Sequence, residues 1–78
     1  MKIHLSYCAD WSYENEAAGL AVKLLEYYKH EIQEFILEPS SGSRFEVTIN
    51  GVLIFSKLET NRFPEYEEIK SSIQNSHI

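Results

Sequence analysis

Cys8 is the single cysteine of the chain. It ends the run Ile3-His4-Leu5-Ser6-Tyr7 and stands just ahead of an amphipathic segment that opens near Ser12. A thiol at a strand-to-helix junction lies near the partial positive charge of a helix N-terminus, which favours the thiolate, the form that attacks disulfides. Asp10, Glu14 and Glu16 nearby oppose it. The usual dithiol site reads Cys-x-x-Cys, but this chain reads Cys8-Ala9-Asp10-Trp11, with Trp11 where the second sulfur would stand. No second thiol can then attack a mixed disulfide from within the chain, so a dithiol cycle is unavailable. One-thiol chemistry remains: a mixed disulfide with glutathione or a protein thiol, or a sulfenic acid, each awaiting an external thiol. The alternative for Cys8 is a half-buried packing residue, the habit of free cysteines.

The other reactive side chains add little to that centre. His4 is four residues from Cys8 on the same strand, roughly 13 Å away and far beyond hydrogen-bond reach. His30 falls at the far end of the first helix and His77 in a tail. One cysteine and three scattered histidines show no zinc spacing, so neither a metal nor a resident cofactor is expected. Ser40-Ser41-Gly42-Ser43 lacks the lysine and the following helix of a phosphate loop. Glu65, Glu67 and Glu68 read as a solvated helix face near a helix N-terminus. Trp11 carries two readings: an aromatic capping the edge of the core, or, with Tyr7 and Tyr13, an apolar lip around Cys8 that docks a partner.

The 78 residues are enough for one domain, expected to span 1–78, and leave no room for a second. A net charge of −5 and the absence of any Lys/Arg cluster argue against nucleic acid or anionic membrane as partner. A hydrophobic content of 44% excludes a disordered chain. No secretory leader and no membrane span are expected, and a lone cysteine suits a reducing, cytoplasmic setting.

The elements that must position these residues follow from periodicity. Ile3, Leu5 and Tyr7 alternate with His4, Ser6 and Cys8, which predicts a strand over 2–8. Ala17, Leu20, Ala21, Leu24, Leu25, Tyr28 and Ile32 recur at threes and fours, which predicts a helix of about four or five turns. Ser12 or Asp10 suits its N-cap, and Lys29 and His30 its negative end. Gly19 is its one weak spot unless something packs closely there. Phe35-Ile36-Leu37, closed by Glu38-Pro39, reads as a short buried strand. Phe45, Val47 and Ile49 alternate up to Asn50-Gly51, and Val52-Leu53-Ile54-Phe55 returns, a hairpin with a type I′ turn. Pro64 opens a last helix with Tyr66, Ile69 and Ile73 on one stripe.

The predicted order is β-α-β-β-β-α, an α/β (α+β) chain with a four-stranded mixed sheet and two helices on one face. Strands one and two are parallel through a helical crossover. If the turn pairs Ile49 with Val52, Val47 faces Ile54, and Leu53 and Phe55 fall on the sheet face that no helix covers. Such an uncovered apolar face would suit a homo-oligomer or a partner, unless a bulge or a loop covers it.

This order is that of a reduced thioredoxin-like fold, and several motifs narrow it. Tyr7-Cys8-x-x, Phe45-Glu46-Val47 leading into Asn50-Gly51, Ile54-Phe55-Ser56-Lys57, and Phe63-Pro64 before Ile69-Lys70 together resemble the Rdx family of selenoprotein W and its bacterial relatives. The resemblance spans essentially the whole chain. It implies a thiol oxidoreductase linked to glutathione or thioredoxin, with Cys8 at the first position of a Cys-x-x-Cys or Cys-x-x-selenocysteine motif and Trp11 at the second. Tyr13 then corresponds to an aromatic that relatives carry after the motif. By analogy of fold, the loop at Ser41 and Gly42 lies beside Cys8. Two classes of function follow: a redox protein working through Cys8, or a non-catalytic interaction module that keeps the scaffold.

Overall fold

The computed structural model describes residues 1–75; the expected tail, His77 included, lies outside the described residues. Lys2–Cys8 form β1, and α1 (Glu14–Tyr28) runs into a 3-10 turn at Lys29–Glu31. Then follow β2 (Glu34–Ser40), β3 (Phe45–Ile49) and β4 (Val52–Ser56). A four-residue helix, α2 (Lys57–Thr60), precedes α3 (Tyr66–Asn75). The periodicity gave no sign of α2, because four residues are too few to show a helical stripe. The strands lie in the order β2-β1-β3-β4. β1 and β2 are parallel, whereas β1–β3 and β3–β4 are antiparallel. This is the predicted mixed four-stranded α+β sheet.

Alternation decides what each strand buries. Ile3, Leu5, Phe45, Val47 and Ile49 meet Leu20 and Leu24 of α1 and Ile69 and Ile73 of α3 in one apolar cluster. Both long helices therefore cover the same face. Removing these side chains from water is the main favourable contribution to folding. On the opposite face a row crosses all four strands, Ile36–His4–Thr48–Leu53. The next row is Glu38–Ser6–Glu46–Ser56. His4 Nε2 lies 2.8 Å from the Glu38 carboxylate, and the Ser56 hydroxyl donates to Glu46 at 2.9 Å. The open face is polar at its centre.

Four expectations need correction. The turn does pair Ile49 with Val52, and Asn50 and Gly51 hold the positive φ values, 50° and 84°, that a type I′ turn needs. Beyond it, though, Thr48 meets Leu53 and Val47 meets Phe55, so Ile54 is an extra, bulged residue. The bulge turns Phe55 over into the core, where it is 6% exposed, and of the two leaves Leu53 on the open face. Second, β2 is an edge strand, with Ile36 and Leu37 exposed, rather than a buried one. Third, α1 carries no side-chain N-cap: Tyr13 holds that position, and Ser12 sits at φ 58° in the preceding turn. Fourth, α3 opens at Tyr66, two residues after Pro64. A Cβ at Gly19 would meet nothing within 4 Å, so no close packing offsets the helix cost of that glycine.

The entry to α3 is fixed by one carboxylate. The Glu65 amide donates to Glu68 at 3.1 Å, half of a capping box. Arg62 donates to both Glu68 oxygens, at 2.9 and 2.6 Å, and to the Phe63 carbonyl at 3.1 Å. Glu68 is thus a structural clamp as well as part of an acidic face. The Arg62 hydrogen bond, then the Glu65 amide, hold its carboxyl at about 2 against the ordinary 4.5.

Two outcomes are expected in urea unfolding. Phe55→Ala should cost about 3–5 kcal/mol, whereas Leu53→Ala should stay within about 0.5 kcal/mol of wild type. Similar costs at both positions would contradict the bulged register. For Glu68, a depressed folded-state pKa gives stability that is present above about 4.5 and lost as pH falls towards about 2. Glu68→Gln should therefore be less stable than wild type at pH 7, modestly so because the carboxylate is 33% exposed. That difference should vanish across the acid window; a pH-independent difference would count against the clamp.

Candidate functional site

β1 keeps its regular alternation to its last residue. The Cys8 amide donates to the Arg44 carbonyl at 2.8 Å, towards β3, and the Ala9 amide donates to the Ser40 carbonyl at 2.9 Å, towards β2. Cys8 therefore shares the parity of His4 and Ser6 and points to the open face of the sheet. It is nevertheless 0% exposed and has no disulfide partner. Its neighbours across the sheet are Ser40 on β2 and Arg44 just before β3. Arg44 Nη1 donates to the Ser40 hydroxyl at 3.3 Å. Ser41 and Gly42 form the exposed tip of the same connection, with Gly42 at φ 73°. The 40–44 segment thus lies alongside Cys8.

From Cys8 the chain turns at once. The Ser12 amide donates to the Ala9 carbonyl and the Tyr13 amide to the Cys8 carbonyl, each at 3.2 Å. The turn carries α1 onto the helix-covered side of the sheet. Tyr13 there meets Phe63 edge to face at 4.8 Å, and Phe63 meets Phe45 at 5.2 Å. The Lys57 ammonium sits 5.3 Å from the Tyr13 ring and 5.5 Å from the Phe63 ring. Edge-to-face pairs of this kind contribute ~0.5–1.5 kcal/mol each beyond burial, and the cation adds ~0.5–1 kcal/mol. The aromatic wedge holds the Cys8 turn against α2 and the entry of α3.

The expected lip of Tyr7, Trp11 and Tyr13 is not assembled around the thiol. Tyr7 and Tyr13 pack against the core cluster, on the face opposite to the Cys8 side chain. Trp11 stands 67% exposed at the tip of the turn, so it does not cap the core edge. Leu53 lies on the open face several residues from Cys8 along the sheet, and Phe55 is in the core. Sequence reasoning also missed Arg44, Lys57 and Phe63 as neighbours of the turn. Lys57 and Phe63 stood inside quoted motifs, but their meeting with Tyr13 depends on α2, which left no periodic trace.

Elsewhere the surface offers little. Two depressions lie on the helix side: a groove of about 250 Å³ between α1 and the 63–66 segment, and a more open one of about 380 Å³ among Lys23, Glu26, Tyr27 and Tyr66. Neither is lined by Cys8, Ser40 or Arg44. Among the described residues no three His, Cys, Asp or Glu side chains gather, and no helix is long and apolar enough to cross a membrane.

Comparison with known proteins agrees with this architecture. The solved structure of a selenoprotein W-related protein from Vibrio cholerae superposes with a TM-score of 0.90 at 31% identity, covering 95% of this chain and 92% of that one. A solved protein from Bordetella parapertussis gives 0.91 at 26% identity, covering 99% and 96%. The fold is therefore the thioredoxin-like one of selenoprotein W-related proteins. No match is found among curated proteins. The family model described as the Rdx family matches residues 2–75, from the start of β1 to the end of α3, and the chain belongs to that family.

Proposed function

We propose that the protein carries out thiol–disulfide exchange through Cys8 alone, with glutathione or a protein thiol as co-substrate. The observation that supports this reading is the coincidence of family and position. Cys8 closes β1 at the turn into α1, where the resemblance places the first redox sulfur. The Cys8 thiolate attacks one sulfur of a disulfide such as oxidised glutathione. The S–S bond breaks, one glutathione thiolate leaves, and a Cys8–glutathione mixed disulfide forms. The thiolate of another molecule, a protein thiol, then attacks the glutathione sulfur of that adduct; the Cys8 thiolate leaves, and the glutathione passes to the protein as a new mixed disulfide. Trp11 supplies no sulfur, so each cycle depends on an external thiol. A reducing compartment such as the cytoplasm suits that requirement.

The competing reading, a docking module working through the uncovered sheet face, has less to stand on. Phe55 has left that face for the core, and the rows that remain are polar at their centre.

Incubation of the folded protein with oxidised glutathione should give one glutathione adduct by intact mass spectrometry. Reduced glutathione should reverse it, and Cys8→Ser should not form it. An adduct seen only after unfolding in urea would contradict the proposal.

A further inference from the structure

Cys8 presents an apparent conflict: it points to the face that no helix covers, yet it is 0% exposed. The row in which it lies resolves this. Ser40 is its partner on β2, and Arg44 is bonded to its amide on the β3 side. All three positions share the parity of the Glu38–Ser6–Glu46 row two residues below, so their side chains rise on the open face. Ser40 and Arg44 are two strands apart, roughly 10 Å. The 3.3 Å hydrogen bond from Arg44 Nη1 to the Ser40 hydroxyl therefore crosses β1 directly over Cys8. The Arg44 side chain is itself exposed.

We propose that Arg44 is the cover of Cys8 and the residue that selects anionic reagents for it. Its tie to Ser40 is a single hydrogen bond to a neutral oxygen, near the long end of the range. Among the described residues Arg44 makes no ion pair, whereas Arg62 holds Glu68 by two bonds. A weakly tied guanidinium swings aside by rotamer change, without disturbing the sheet. Once free, its planar fork matches a carboxylate. A disulfide bearing carboxylates thus exchanges the Ser40 bond for a stronger, charge-assisted one while reaching the sulfur. Arg44 is a positioning residue in this scheme and takes no part in breaking the S–S bond. The covering role is independent of the exchange chemistry proposed above; the preference for substrates such as glutathione rests on it.

The test compares alkylation of the intact protein by iodoacetamide, which is neutral, and iodoacetate, which is anionic. In each reaction the Cys8 sulfur forms an S–C bond and iodide leaves. Arg44→Met should raise the iodoacetamide rate about fivefold, the worth of one lost hydrogen bond. The ratio of iodoacetate to iodoacetamide rates should exceed that of the urea-unfolded protein in wild type. It should fall about fivefold in Arg44→Met, as expected for one charge removed near 4 Å in water. Arg44→Lys should open the cover yet keep most of the anionic preference. An unchanged iodoacetamide rate in Arg44→Met, with its stability intact by urea unfolding, would overturn the covering role. A raised rate with an unchanged ratio would overturn the selection. Either result is separable from the glutathione experiment, because alkylation needs no turnover.

Discussion

The register in which β1 meets its two neighbours places Ile3 against Ile49, Leu5 against Val47 and Tyr7 against Phe45. A strand has only two faces, so this pairing commits the odd residues to the core and the even ones to the open side. Slipping β1 by one residue would bury His4 and Ser6 under two helices and expose three large apolar side chains. The same constraint runs to the end of the strand. There it delivers Cys8 to the open face between Ser40 and Arg44. The turn that follows is then anchored on the other side by Tyr13, Phe63 and Lys57.

This placement changes what burial of the thiol means. A cysteine sealed within a packed core is inert, because reaching it requires unfolding. Under the proposed Arg44 cover, Cys8 is instead closed off at the sheet's open face, beside an exposed turn. Access then costs the rearrangement of a surface arginine. Trp11, exposed at the tip of the turn, supplies no second sulfur. In the proposed reading the sulfur acts singly, and an external thiol resolves its adduct.

Much of the fold was legible in the sequence. Period-two alternation marked β1 and β3, the three-and-four spacing marked α1 and α3, and Asn50-Gly51 marked the hairpin turn. Each of these signals is local. What escaped was non-local or too short to be periodic. The bulge at Ile54 follows from which of two adjacent apolar residues best fills the core beside Val47, and alternation alone cannot choose between them. The exposure of Ile36 and Leu37 follows from strand order, which places β2 at an edge. Within the site, the position of Cys8 at a strand-to-turn junction could be read directly. Its cover could not, because Arg44 reaches it only through pairings made across three strands.

In the proposed exchange, Cys8 meets its reagents in the folded protein. The direct test is the rate of glutathione adduct formation across urea concentrations below the unfolding transition. Opening by a side-chain swing exposes almost no new surface, so the rate should stay nearly flat. A rate that climbs from the first addition of urea, with the slope of global unfolding, would contradict it and return Cys8 to the structural core.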